Sequence, residues 1–208
     1  LFCTTEDLLT QSIVVPLLMP MLENAGAIVY TPRERDWQPE CVIVDNDKCR
    51  EGSRYSESNG RNFKWREFAQ GYADAREVYF DNDNPFAMGT SRYVTSSVSD
   101  KRNIAEAMWH PSIPKDGRYA VYVSYTSFEN SVPDALYKVV HSGGTTEFRV
   151  NQTMGGGTWV YLGTFHFNKG SGKEQGVVLN NESKHAGIVS ADAVRFGGGM
   201  GNVARGTE

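Results

Sequence analysis

The stretch "GRYAVYVSYT", residues 117–126, sets Tyr119, Val121, Val123 and Tyr125 on one side and smaller or more polar residues on the other. A period of two is the mark of a half-buried β-strand. Its neighbours share the texture. "LYKVVHSGGTTEFRVNQ" (136–152) reads as a hairpin turning at Gly143-Gly144, because glycine enters the left-handed backbone of a tight turn without steric cost. "TWVYLGTFHF" (158–167), "GVVLN" (176–180) and "GIVSADAVRF" (187–196) extend the series. Short strands at this spacing, punctuated by Gly, Asn, Asp and Pro, predict a mainly β protein built as an antiparallel β-sandwich.

Towards the N-terminus the pattern changes to a short α/β segment, helix then strand, over residues 4–31. Thr4-x-x-Asp7 has capping-box spacing. Apolar residues then recur from Leu8 to Ala25 close to a helical period. Pro16 and Pro20 oppose a straight helix, since an interior proline costs about 3 kcal/mol. The helix is therefore kinked, or a second one starts near Pro16. Gly26 suits a C-cap and "AIVY" a short strand. Helical periodicity fades near residue 42. Residues 48–76 read as a polar excursion with at most one helix or short strand around Phe63–Ala69. The segments expected are thus 1–41, a sandwich module over 42–197, and a glycine-rich linker over 198–208.

Two near-repeats, "CVIVDND" (41–47) and "VYFDND" (78–83), raise the question of calcium. An EF-hand loop needs an oxygen ligand at position 5 and glycine at position 6. Counting from Asp45, these are Cys49 and Arg50; counting from Asp81, position 5 is Pro85. Calcium of that type is not expected. Val42–Val44 and Val78–Phe80 read instead as strands stopped by Asp-Asn-Asp, whose side chains bond nearby backbone amides. A different calcium site, made by carboxylates converging at strand ends, stays open.

The 208 residues carry a net charge of −4 and a pI of about 5.6, a poor match to nucleic acid. At 39% hydrophobic, the chain can form a core without metal or disulfide support. Cys41 and Cys49 are close enough in sequence to pair in an exported protein, but Cys3 makes the count odd. The longest apolar run, Ile13–Leu22, holds two prolines and is too short to span a membrane. The opening "LFCTTEDLL" has neither an initiator Met nor a basic leader, so it reads as the interior of a longer protein. His110, His141, His166 and His185 lack metal-ligand spacing. There is no Gly-x-Ser-x-Gly elbow and no phosphate loop. No catalytic residue is assigned.

Sugar binding needs flat rings that stack on C–H faces beside polar groups. The candidates for such a surface are Trp65, Tyr93, Tyr122, Tyr125 and Phe128. Trp159, Tyr161, Phe165 and Phe167 alternate along one strand and are expected to share a core face. Asp192 falls, by the same alternation, with Ile188, Val194 and Phe196. A buried carboxylate must be bonded, so Asp192 is expected to be a structural lock.

Taken in order, Trp109-His-Pro, Gly117-x-Tyr-x-Val, Val140-His-Ser-Gly-Gly, Val150-Asn-Gln, Trp159-Val-Tyr-Leu-Gly-x-Phe-x-Phe and Ala191-Asp-Ala-Val-Arg-Phe resemble the golvesin C-terminal / xanthan lyase C-terminal module over about residues 92–197. The resemblance implies a jelly-roll-like sandwich, non-catalytic, attached to secreted, periplasmic or cell-surface enzymes and directed to a polysaccharide or peptidoglycan glycan. "LMPMLENAGAIVYTPRERD" (18–36) resembles the helix-strand segment of zinc-dependent N-acetylmuramoyl-L-alanine amidases. On that resemblance the acidic zinc ligand falls on Glu6 or Asp7. The family's early-strand His and late Ser-x-His are missing, so zinc is implied only for a complete parent protein, not for this chain. Three roles follow as expectations: an accessory binding module beside the remainder of its parent chain, a fragment of an amidase, or a structural spacer.

Overall fold

The computed structural model describes residues 38–50, 52–73, 84–100, 103–172 and 174–198. The chain divides into two units, Leu1–Arg33 and Glu34–Glu208, and every described residue belongs to the second. Outside the described residues lie the expected helix and strand of 4–31 with Glu6 and Asp7, the Val78–Phe80 strand with Asp81-Asn82-Asp83, and the tail beyond Gly198.

Among the described residues the strands are β1 (Gln38–Val44), β2 (Arg54–Ser58), β3 (Arg66–Gly71), β4 (Gly89–Thr95), β5 (Glu106–His110), β6 (Gly117–Val123), β7 (Ala135–His141), β8 (Gly144–Val150), β9 (Val160–Phe167), β10 (Gly176–Asn180), β11 (Ile188–Ala191) and β12 (Val194–Gly198). They form three antiparallel sheets ordered β2-β5-β10-β7-β8, β1-β12-β6-β9 and β11-β4-β3. Alternation drives the layering. Ala107 and Trp109 of β5, Tyr137 and Val139 of β7, and Val177 and Leu179 of β10 all turn inward. They join Tyr119, Val121 and Val123 of β6, Val194 and Phe196 of β12, and Val189 of β11 in one core cluster. Each buried Val, Leu or Phe side chain contributes about 1.5–3 kcal/mol. The result is the mainly β sandwich the strand series predicts, with the hairpin turning between His141 and Gly144.

Buried amides pin the layers. Gln152 donates to Tyr137 Oη at 3.0 Å and to the Ser190 carbonyl at 2.7 Å, and accepts from Ser190 N at 2.9 Å. Asn181 accepts from Ala105 N and donates to the Thr95 carbonyl, each at 2.9 Å. Both side chains are 0% exposed, and buried amides of this kind are tolerated because they are bonded.

Three expectations need correction. The described part of residues 48–76 holds two strands, not one element: β2 pairs with β5 and β3 with β4. Both lie at sheet edges, where pairing to a neighbour sets the backbone and a weak apolar pattern suffices. Residues 187–196 are not one strand. The chain turns a corner at Asp192-Ala193, so β11 pairs with β4 while β12 pairs with β1 and β6. At that corner Asp192 is committed to tertiary bonds: its carbonyl accepts from Trp109 Nε1 at 2.9 Å. Finally, Trp159, Tyr161, Phe165 and Phe167 do not share a face. A bulge skips Leu162, so that Tyr161 pairs with Tyr122 while Gly163 pairs with Val121. One extra residue inverts the parity. Phe167 enters the core and Phe165 packs against it, whereas Tyr161 sides with Tyr122 on the opposite face.

Cys41 and Cys49 form no disulfide with each other. Cys49 sits across an isolated bridge from Val44 and its thiol donates to the Asp45 carbonyl at 3.2 Å.

Candidate functional site

Of the five ring candidates, the structure brings two together. In the β3–β4 ladder Arg66 pairs with Tyr93 and Phe68 with Ser91. Phe68 and Tyr93 are therefore diagonal neighbours on one face. Phe128, from the loop after β6, covers that face. Its ring centroid lies 4.9 Å from Phe68, edge-on, and 5.6 Å from Tyr93, tilted. All three rings are half-buried. Exposed Arg66 and Gln70 flank Phe68 along β3.

The loop that carries Phe128 is tied down at several points. Phe128 N donates to Ser131 Oγ at 2.8 Å, and Ser131 N returns a bond to the Phe128 carbonyl at 3.1 Å. Thr126 N donates to Ser190 Oγ at 3.0 Å, and Thr126 Oγ1 lies 2.8 Å from Ser91 Oγ. Gly156 N donates to Ser127 Oγ at 3.1 Å. A Cβ on Gly156 would come within 2.4 Å of Ser127 N, so the β8–β9 connection meets this loop only as glycine. The cluster is thus presented by a loop fixed to three neighbouring segments.

The other three ring candidates are corrected. Trp65 is 7% exposed and belongs to the core; its Nε1 donates to the Glu106 carbonyl at 3.1 Å. Tyr125 is 0% exposed, and its hydroxyl donates to the Met154 carbonyl at 2.7 Å. In both cases a partner for the polar atom lets the ring go inside. Tyr122 does face away from the core residues of β6, but it is only 5% exposed. Tyr161 packs against it at 5.3 Å and the Arg195 guanidinium lies 4.1 Å above its ring. Phe68, which the sequence reading missed, had one signal: a single phenylalanine among polar residues in "WREFAQG".

Next to these rings is a second aromatic group. Tyr72, Phe86 and Trp159 lie 4.9–5.5 Å apart, centroid to centroid. Arg195 reaches within 4.9 Å of the Trp159 ring. Tyr72 follows directly on β3, and its position is set by Asp192. Both carboxylate oxygens of Asp192 accept from Tyr72 N at 3.0 Å, and Oδ2 also accepts from Ser124 Oγ at 2.9 Å. Asp192 is 1% exposed. Burial pushes its carboxyl up to about 7, against the Tyr72 and Ser124 bonds, with the Asp47 charge adding to the rise.

Asp45 closes β1 at the same end of the β1–β12 ladder, where the last pair is Val44 with Val194. It is 3% exposed. The backbone amides of Asn46 and Asp47 act on its carboxyl in favour of the charged form. Among the described residues its Oδ1 has no hydrogen-bond partner. Burial, then the charge of Asp192, then that of Asp47 raise its carboxyl to about 8. Asp47 does not cap locally: it takes the amide and hydroxyl of Thr90 and so ties the end of β1 to the start of β4. Among the described residues no group of three or more His, Cys, Asp or Glu is placed to hold a metal ion, and no helix is long and apolar enough to cross a membrane.

Comparison with known proteins places these features in context. The model of the golvesin C-terminal domain matches residues 82–198. A xanthan lyase of Bacillus sp. (strain GL1) is 33% identical over 112 residues, covering 51% of this chain. The solved structure of a Paenibacillus xanthan lyase superposes with a TM-score of 0.52 at 25% identity over 84% of this chain. The chain spans 12% of the first relative's length and 14% of the second's. These matches agree with the golvesin half of the sequence resemblance. They give no support to the amidase-like reading of residues 1–41, and with it to Glu6 or Asp7 as a zinc ligand.

Proposed function

Because the chain belongs to the golvesin C-terminal domain family, we propose that it is a non-catalytic accessory module of a larger, secreted polysaccharide-processing protein, and that it contacts a glycan through Phe68, Tyr93 and Phe128. The convergence of these three half-buried rings on one pinned outer face carries the reading. Ring edges and faces offer apolar area to sugar C–H groups, and Arg66 and Gln70 supply donors beside them. The matched relatives are both named as xanthan lyases, which makes xanthan the first glycan to try and peptidoglycan fragments the second. No metal or cofactor is needed for this role.

The test is binding of the purified chain to immobilised xanthan and to peptidoglycan fragments, with Phe128→Ala and Tyr93→Ala compared with the parent chain. Loss of one stacking ring should weaken binding about tenfold or more while the fold persists. Binding that survives both substitutions would move the site elsewhere. No binding to any glycan on a broad array would favour the spacer role.

A further inference from the structure

Asp45 and Asp192 are two carboxyl groups removed from water at one end of the β1–β12 ladder. Asp192 has its oxygens filled by Tyr72 N and Ser124 Oγ. Among the described residues Asp45 keeps one oxygen, Oδ1, without a partner. Among the described residues the charges acting on the pair are all negative: each feels a neighbouring carboxylate, and Asp47 acts on both. Two buried carboxylates without a compensating cation do not both ionise; one keeps a proton, and that proton needs an oxygen free to carry it. Asp45 Oδ1 is that oxygen.

We propose that Asp45 is held as the neutral acid, and that its proton is a latch: it keeps Asp192 seated on Tyr72, and through Tyr72 fixes the Tyr72–Phe86–Trp159 group. Loss of the proton puts a second negative charge against Asp192 and loosens its hold on the Tyr72 amide. The response falls near neutrality because burial and the charges of Asp192 and Asp47 lift Asp45 to about 8, while burial and the Asp47 charge lift Asp192 to about 7. The other titratable groups facing the pair do not compete in that range. The Cys49 thiol is raised by burial. Tyr55 of β2 and Tyr137 of β7 feel Asp192 and are raised well above the usual tyrosine range. Arg195 of β12 lies over Tyr122 and Trp159. The latch does not depend on the glycan reading and is tested without a ligand.

The experiment follows tryptophan fluorescence of the whole chain as pH is raised, in the parent protein, Asp45→Asn and Trp159→Phe. The parent should show a reversible transition near neutral to mildly alkaline pH, before unfolding. Asp45→Asn keeps the shape of the side chain but cannot ionise, and should be flat. Trp159→Phe should lose part of the signal, and the rest of the pH response should come from Trp109, whose Nε1 donates to the Asp192 carbonyl at 2.9 Å. If Asp45→Asn does not fold, carboxyl NMR of the parent protein decides: the Asp45 carboxyl itself should titrate above about pH 6, far from the ordinary value of about 3.9. Aspartates that all titrate below about pH 5, or an Asp45→Asn chain that keeps the parent transition, would overturn the latch. So would millimolar calcium that stabilises the parent at alkaline pH and not Asp45→Asn, because a cation would then sit on Asp45 Oδ1 where the latch requires a proton.

Discussion

The guanidinium of Arg195 lies 4.1 Å from the centre of the Tyr122 ring, and the two residues are directly paired across β12 and β6. The same group lies 4.9 Å from the Trp159 ring centre. Burial lowers its pKa, while Tyr122 works the other way. The contact rests on a flat, weakly hydrated cation between ring faces. Arg195→Lys should therefore cost about 0.5–2 kcal/mol despite keeping the charge. Urea unfolding of the two proteins measures it, and equal midpoints would show that the stacking contributes nothing.

Asp192→Ala should destabilise the chain by about 1–3 kcal/mol, because it leaves the Tyr72 amide and the Ser124 hydroxyl buried without their acceptor. Thermal unfolding is the readout. An unchanged melting temperature together with lost glycan binding would make Asp192 a ligand-contacting residue instead of a lock.

The pH dependence of stability has a definite sign. Asp45 binds its proton more tightly in the folded chain, about 8 against 3.8 unfolded. The folded state thus holds the extra proton between those values, and stability falls as pH rises through that window. Its contribution is fully present below the unfolded value and gone above the folded one. The advantage of Asp45→Asn over the parent should accordingly grow from about pH 4 to about pH 8 and then level off. Chemical unfolding at four or five pH values would reveal it, and a difference that shrinks with pH would refute the assignment.

The purified chain should show no amidase or lyase turnover on peptidoglycan or xanthan. Zinc hydrolysis requires about three protein ligands around an open position, and the single acidic position on Glu6 or Asp7 cannot supply them. Zinc-dependent product release, measured by reducing-end or amine assay, would contradict this.

Gly71 and Gly89 face each other in the β3–β4 ladder. A Cβ on Gly89 would come within 1.9 Å of the Tyr72 carbonyl oxygen. Gly89→Ala should therefore destabilise β3 by more than an exposed Gly→Ala change, which ordinarily alters stability by about 0.4–1 kcal/mol. Hydrogen exchange at Phe68 and Tyr72 would locate the damage; unchanged protection there would show that β4 can shift away freely.

Where side chains alternate against a solid core, the sequence was readable: β6, the β7–β8 hairpin and β10 fall where the pattern puts them. Where the outcome depended on a neighbour, it was not. β2 and β3 are polar and owe their form to β5 and β4. The bulge at Leu162 leaves no mark in composition, yet it sends Tyr161 and Phe165 to opposite faces. Trp65 and Tyr125 looked like exposed rings because their buried acceptors, the Glu106 and Met154 carbonyls, are remote in sequence. Tyr93 and Phe128 were legible singly, but their meeting with Phe68 required the β3–β4 register.

The placement of β12 between β1 and β6 has a consequence for how the chain is made. Some 150 residues separate Val44 from its partner Val194, so during synthesis β1 and β6 must wait, each with an edge of unsatisfied amides, until nearly the whole domain has emerged. Loop closure over such a distance is slow, and bare edges are templates for pairing with other chains. A ribosome that stalls before Val194 therefore leaves β1 and β6 with open edges, prone to aggregate, and it is the emergence of β12 that covers them.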